Sequence, residues 1–315
     1  MTTGTGTDIS LAVKLLRNGG LVSIPTETVY GLAANALNEE AVTKIFEVKD
    51  RPFFDPLIVH IALFEQVFKY VESMPSWAEK LFQSFSPGPL TIVLKKKKII
   101  PDIVTAGLET VGIRIPSHPM TLELLHELDF PLAAPSANPF GYVSPTNASH
   151  VREQLDGKIE YILDGGDCAV GIESTIVADD RGAPTILRLG GVSMEEIQHV
   201  VGKVNINTSG PTPQSPGMLV SHYAPRKKFV IGFPDNSIRA AFLGFKNYSE
   251  FIPKNNQQIL SSTGDLREAA RNVFRAMRDL DGLDVDIIFA EFVPDTGLGR
   301  AINDRLKRAA AGHES

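Results

Sequence analysis

The hydrophobic positions of this chain change period repeatedly. From Asp8 to Asn18, Ile9, Leu11, Ala12, Leu15 and Leu16 recur at helical spacing, with Asp8 placed to cap the segment and Gly19-Gly20 to stop it. LVSIP, from Leu21, reads as a strand. Asn38 opens NEEAVTKIFEVK, acidic in its first turn and apolar on one face, which predicts a second helix. Short apolar runs then recur: LIVHI (57–61), LTIVL (90–94), VGIRIP (111–116), PLAAPS (131–136), STIV (174–177) and TILRLG (185–190). Between them SWAEKLFQSF and MTLELLHEL carry helical spacing, and Ser193 begins SMEEIQHVVG with a capping-box start. The alternation predicts an α/β domain built on a mixed sheet.

The pattern breaks after Lys203. NINTSGPTPQSPGMLVSHYAPR is rich in proline, glycine and hydroxyls and has no amphipathic period, so it reads as a linker. Beyond it FVIGF, QQIL and DIIFAEF predict strands of a second, small α/β unit, with LREAARNVFRAMRDL a helix between the last two and GRAINDRLKRAAAG a final helix. The expected organisation is a first domain over 1–204, a linker over 205–228 and an accessory domain over 229–315.

Composition adds limits. The 315 residues are 43% hydrophobic and 22% charged, as expected of a soluble globular chain. No apolar run approaches the roughly 20 residues that span a bilayer. The start MTTGTGTD lacks the basic and apolar parts of a signal peptide, and a lone Cys168 forms no internal disulfide; the expected location is a reducing cytoplasm. A net charge of −6 argues against a surface coated for long nucleic acid and leaves a small anionic ligand open.

Candidate chemistry then clusters at strand ends. In KDRPFFDPLIVH two prolines forbid continuation of the preceding helix, so Lys49 and Arg51 sit on a stiffened loop. That loop is either a plain connector or a holder of an anion. IPTETVYGLAANA places Thr26, Glu27 and Thr28 directly after a strand, where open α/β sheets bind ligands; its plain reading is a strand-to-helix turn capped by hydroxyls. TVGIRIP sets Thr110, Gly112 and Arg114 on one face, and a buried Arg114 needs a structural carboxylate or a substrate anion. APSANPFGYVSPT offers Ser136, Asn138 and Ser144 either as a long loop or as a polar cradle. TILRLG adds Arg188. Lys95 to Lys98 read as a solvated turn, and Cys168, with no identifiable histidine partner, as inert. Phosphate-loop, dinucleotide, nucleophile-elbow and metal-ligand spacings are all missing. The residues alone lead to an α/β protein with a small, highly anionic ligand such as a nucleotide.

PTETVYGL, KxRPxxxPLIVH, SPGPLT, TVGIRIPxHP, APSAN, ESTIV and ILRLG, in this order, resemble the YrdC-type threonylcarbamoyl-AMP synthases. SPGM…HYAP and the carboxy-terminal unit resemble the family's two-domain form. The resemblance implies a YrdC-like twisted mixed sheet with flanking helices, plus a small Rossmann-like accessory domain. It implies synthesis of L-threonylcarbamoyl-AMP from ATP, L-threonine and bicarbonate, with Mg²⁺ accompanying the ATP. By resemblance Thr28, His60, Arg114, Ser174 and the backbone near Ala134 belong to a threonine pocket. Lys49, Arg51, Asp55, Thr110, Ser136, Asn138, Ser144 and Arg188 belong to the ATP side, with Tyr223 closing over the nucleotide. Lys49 and Arg51 would neutralise the reacting phosphates. Asp55 stands where many relatives have asparagine, and Leu219 and Ser221 where many are basic. Passing contact with the tRNA-modifying transferase is implied, direct tRNA contact is left open, and no membrane is expected. The rival reading is an RNA-binding or regulatory module of this fold without catalysis.

Overall fold

The structure is a computed structural model and describes residues 2–208, 215–217, 219, 222–234 and 239–312. The first domain runs β1 (Gly4–Gly6), α1 (Ile9–Arg17), β2 (Val22–Ile24), β3 (Gly31–Asn35), α2 (Glu39–Lys49), β4 (Ile58–His60), α3 (Val67–Tyr70), α4 (Ser76–Phe85) and β5 (Leu90–Lys95). It continues through α5 (Asp102–Thr105), β6 (Thr110–Arg114), α6 (Pro119–His126), β7 (Leu132–Ala133), α7 (Ala148–Leu155), β8 (Tyr161–Leu163), β9 (Thr175–Asp180), β10 (Ala183–Arg188), α8 (Met194–Val201) and β11 (Asn205–Ile206). These strands form one mixed sheet, ordered β1-β8-β2-β3-β7-β4-β6-β5-β9-β10-β11. The second domain runs β12 (Lys228–Ile231), β13 (Ala240–Gly244), β14 (Gln257–Ile259), α9 (Leu266–Asp281), β15 (Ile287–Ala290) and α10 (Gly299–Ala311). Its sheet, ordered β12-β15-β13-β14, is parallel throughout. Asn205 and Ile206, the first residues expected in the linker, pair with β10 as an edge strand.

The caps fall where the sequence placed them. Asp8 accepts from the Leu11 amide, Asn38 from that of Ala41, and Ser193 and Glu196 close a capping box on α8. One local expectation is corrected. IPTETVYGLAANA does not lead from strand to helix; β2 and β3 form an antiparallel hairpin, Val22 opposite Ala33 and Ile24 opposite Gly31. Gly31 to Ala34 are buried on both faces of the sheet, so their near-continuous apolar run reflects two covered faces rather than a helical stripe. Lys96 corrects another: it is buried and bonded to Asp102 and the Ile100 carbonyl, pinning the turn after β5.

The sheet's two faces have different roles. Helices α2 and α4 bury Ile45, Phe46, Leu81 and Phe82 against one face, with Val59, Ile92, Ile113, Val177 and Ile186 beneath them. At one end of the sheet the opposite face is covered by α1 and α6, which bury Leu16, Leu124 and Leu125 on Val22, Ile24, Ala33 and Leu132. At the other end it carries only a small apolar patch of Ile58, Val93, Ile176, Ala178 and Leu187, and the polar site lies beside that patch. A further core crosses the domain seam. Val29, Val143 and Ile172 of the first domain and Tyr223 of the linker pack with Phe274, Met277, Ile302 and Leu306 of the second. Phe274 stacks on Tyr223 with ring centroids 5.4 Å apart. Because this core is shared, Phe274→Ala should cost about 3–5 kcal/mol and lower the melting of both domains together. Calorimetry showing an unchanged first-domain transition would overturn the shared-core account.

Candidate active site

Sheet register assembles the site. His60 ends β4 directly opposite Arg114 at the end of β6. Ile92 pairs with Ile113, which sets Thr91 beside Arg114, and Thr91 in turn pairs with Ile176 of β9. Arg188 reaches the same row through an irregularity. Regular alternation would send Arg188 to the helix-covered face with Ile186, but the register shifts between these two residues and Arg188 pairs with Ile176. The bulge turns the guanidinium to the polar side, where Nε donates to the Ser174 carbonyl (3.1 Å) and Nη2 to the Ser174 hydroxyl (3.1 Å). Thr91 Oγ1 shares a hydrogen bond with that hydroxyl at 2.8 Å. Gly190 lets the chain pass this point, since a Cβ there would lie 2.3 Å from the Glu173 carbonyl oxygen.

The KDRPFFDPLIVH loop begins as α2 ends on a left-handed Asp50. Lys49, 1% exposed, sends Nζ to the Ser136 carbonyl at 2.6 Å and to the Asn138 carbonyl. Arg51 clamps its own loop: Nε donates to the Asp55 carbonyl (3.1 Å) and Nη2 to the Pro56 carbonyl (2.9 Å), while Nη2 forms an ion pair with the Asp55 carboxylate at 2.9 Å. Asp55 thus meets a cation, which removes the repulsion an acid beside phosphates would cause. Arg114 pairs through Nη2 with Glu27 at 2.7 Å, and Glu27 also accepts the Ser117 amide at 3.0 Å. The structural-carboxylate alternative for Arg114 is therefore realised, yet its buried Nε has no partner among the described residues.

Lys49, Arg51, His60, Arg114, Ala134, Ser136, Asn138, Arg188 and Tyr223 line one cavity of about 50 Å³. Thr110 lines a neighbouring cavity of about 10 Å³ that shares Ile58 and Pro216 with it. Ser174 is held by Arg188 and Thr91, Ser144 donates to Glu173 at 2.6 Å, and Thr28 shares a hydrogen bond with Thr26 at 2.8 Å. Ser221 lies outside the described residues; Leu219 gives its carbonyl to Arg308. The sequence reading missed Glu27 and Glu173 as partners of site residues, together with Thr91 and His222. The signal for the two acids was adjacency: Glu27 stands next to Thr28, and Glu173 next to Ser174.

The electrostatics divide the cations into two groups. Arg51 and Arg114 each hold a carboxylate. Among the described residues Lys49 and Arg188 make no salt bridge, and both are buried. Burial and then Arg51 push the Lys49 ammonium well below its ordinary value. His60 is pushed down to about 3, by burial and then by Arg114, so it is neutral near pH 7 with Nδ1 unpartnered. His222 is likewise driven well below its usual value by burial and then by Arg51 and Lys49.

Comparison with known proteins covers nearly the whole chain. Residues 14–190 match the Sua5/YciO/YrdC family, described as telomere recombination, and residues 192–311 match the threonylcarbamoyl-AMP synthase C-terminal domain. The threonylcarbamoyl-AMP synthase of Pyrococcus abyssi is 42% identical, over 96% of this chain and 94% of its own. The chain belongs to the two-domain threonylcarbamoyl-AMP synthases. The same-named enzyme of Bacillus subtilis is 41% identical over 96% of this chain and 93% of its own. The crystal structure of P. abyssi Sua5 complexed with L-threonine superposes with a TM-score of 0.91 at 39% identity, covering 99% of this chain and 98% of that one. The family's mixed sheet and separate parallel-sheet domain are thus both present, and among the described residues no helix is long and apolar enough to cross a membrane.

Neutral buried histidines set a pH dependence. His60 falls to about 3, and His150 to about 4 through burial and then Arg278 and Arg275. Their folded values lie below the unfolded value near 6.5, so the stability they contribute is complete above pH 6.5 and is lost as pH falls towards these values. Melting temperature should therefore drop between pH 7.5 and pH 5, less steeply in His60→Gln. A flat profile would contradict the assignment.

Proposed function

We propose that the protein joins L-threonine, bicarbonate and ATP into L-threonylcarbamoyl-AMP with release of pyrophosphate, opening the route to threonylcarbamoyladenosine in tRNA. The observation that carries this reading is the pair Lys49 and Arg188: two buried cations without carboxylates, opening on one cavity beside two arginines already paired. Leaving charge buried without a counter-charge is costly, and the phosphates of a nucleotide supply the missing anion. The L-threonine held by the P. abyssi relative supports the amino-acid half.

The residues then divide the work. The unpartnered Nε of Arg114 is free to donate to the amino-acid carboxylate while Glu27 fixes the rest of the guanidinium. Neutral His60 offers a hydrogen bond to the threonine hydroxyl without adding charge. Thr28, Ser174 and the Ala134 backbone complete that side. Threonine's amine and bicarbonate give a carbamate with loss of water; a carbamate oxygen attacks the α-phosphorus as its bond to pyrophosphate breaks. Both partners are anionic, so Lys49, Arg51 and Arg188 act by neutralising charge in fixed geometry. Ser136, Ser144, Thr110 and the unpartnered Oδ1 of Asn138 supply polar contacts to the nucleotide. No nucleophilic side chain is needed.

Mg²⁺ fits as the nucleotide's companion. No group of three or more metal-ligating side chains occurs among the described residues, while Asp55, paired with Arg51 of the phosphate side, keeps an Oδ1 without a hydrogen bond. When bound with the nucleotide, the ion would supply positive charge that offsets the phosphates, and Asp55, in the cationic loop, is the acid to face it.

A 50 Å³ cavity is far below the roughly 300 Å³ or more that ligand sites usually offer. Pro216, Gly217, His222 and Tyr223 of the linker line that cavity, and on this reading the linker withdraws to admit ATP and returns over it. Closure would keep water from the mixed anhydride. A separate transferase would consume the product.

Pyrophosphate release measured with each substrate omitted in turn is the test. Release should require both threonine and bicarbonate; release with neither, or none under any condition, would sink the reading. Lys49→Met should lower turnover by roughly a hundredfold or more, and near-normal turnover would remove Lys49 from the site.

A further inference from the structure

One fully buried arginine near the site comes from the other domain. Arg305, on α10, is 0% exposed and does not line the cavity. Its Nε donates to Glu173 Oε2 at 2.9 Å, its Nη2 to the Leu189 carbonyl at 2.7 Å and its Nη1 to Asp304 at 2.7 Å. The guanidinium carbon lies 5.0 Å from the centre of the Tyr223 ring. Glu173 is the wall between this arginine and the cavity, and its other oxygen takes the Ser144 hydroxyl. Next to Glu173 in the chain, Ser174 gives its carbonyl and hydroxyl to Arg188.

This arrangement poses a charge problem that the first domain does not solve alone. Glu173 shares the cavity lining with Arg188, the cation that must stay free for phosphate. A carboxylate left alone in a buried site takes the nearest cation, and an internal Glu173–Arg188 pair would compete directly with the nucleotide. Burial alone would push the Glu173 carboxyl up; Arg305, then Arg188 and the Ser144 hydroxyl, outweigh it and hold the group below its usual range. Arg305 is the only one of these cations that reaches the carboxylate within salt-bridge distance.

We infer that Arg305 is a positioning residue for ATP: by occupying Glu173 from behind, it keeps Arg188 available to the phosphates. The inference rests on the ATP reading above. It also gives the accessory domain a role at the site. Asp304 links Arg305 to Arg308, which in turn holds the Leu219 and Thr208 carbonyls of the linker, so one turn of α10 secures both Glu173 and the closing segment.

The experiment is steady-state synthesis by the full chain, with ATP and threonine varied separately. If the wild-type chain neither binds ATP nor releases pyrophosphate from it, the ATP reading fails, and this inference fails with it. Given an active wild type, Arg305→Met should raise the KM for ATP by roughly tenfold or more while the threonine KM stays within about threefold. Adding Glu173→Gln should bring the ATP KM most of the way back, because it removes the carboxylate that captured Arg188. An arginine that merely glues the domains predicts no such rescue. An unchanged ATP KM in Arg305→Met, or a double variant as impaired as the single one, would overturn the inference. Should Arg305→Met not fold, Arg305→Gln takes its place with the same expected rise and the same rescue.

Discussion

The site is governed by the cost of burying positive charge. Lys49, Arg51, Arg114, Arg188 and Arg305 converge on one region, and all are at most 6% exposed. Removing even one unpaired ion from water costs several kcal/mol in a real protein. Three acids meet three of the five cations: Asp55 with Arg51, Glu27 with Arg114, Glu173 with Arg305. Each acid lies on a segment between regular elements rather than on a strand, so the shapes of those segments follow from the need to deliver carboxylates. The hairpin after β2 exists to carry Glu27 as much as to carry its threonines. The two cations left over define where an anion belongs.

The sheet supplies the precision that the loops cannot. His60, Arg114 and Thr91 lie side by side because their strands share a register, and a register is fixed wherever one face is buried. Arg188 depends on a single irregularity in β10. Removing it would turn the guanidinium to the helix-covered face with Ile186, among apolar side chains.

This also explains what could be read from the chain and what could not. Helices with strong apolar stripes and capping residues, such as α1, α2, α8 and α9, were legible because their signals are local. So were the strands that carry His60, Arg114 and Arg188. The short strands β1 and β11 left no trace, since two or three residues hold too little pattern. Strand β13, AAFLG, was hidden by buried alanines that carry no β signature. The candidate site was legible as a set of residue types near strand ends. Its pairings were not: nothing in ETVYG says that Glu27 meets Arg114, 87 positions away. Arg305 was least visible of all, because GRAINDRLKRAAAG reads as an ordinary amphipathic helix and its buried arginine acquires meaning only through the seam.

The same seam makes closure and binding one equilibrium. Tyr223 adopts a left-handed backbone (φ 64°) that a non-glycine residue holds only when its surroundings enforce it. Phe274 stacks on one side of its ring and Arg305 lies over it, so the enforcing groups come from the accessory domain. His222 and Tyr223 of the linker line the cavity; on the proposed reading ATP would compete with them for the same space, and its apparent affinity would be lowered to the extent that the linker is closed. A tighter seam therefore weakens nucleotide entry unless the closed linker gains new contacts once phosphate is present. Lys49 and Arg188 provide the means for such a gain. Among the described residues neither has a carboxylate partner, and neutralising them would remove the main cost of keeping the closed site dry. On the proposed reading the nucleotide's charge would thereby stabilise the same closed arrangement that its bulk first opposes, and this coupling would give the accessory domain leverage over a reaction it does not touch.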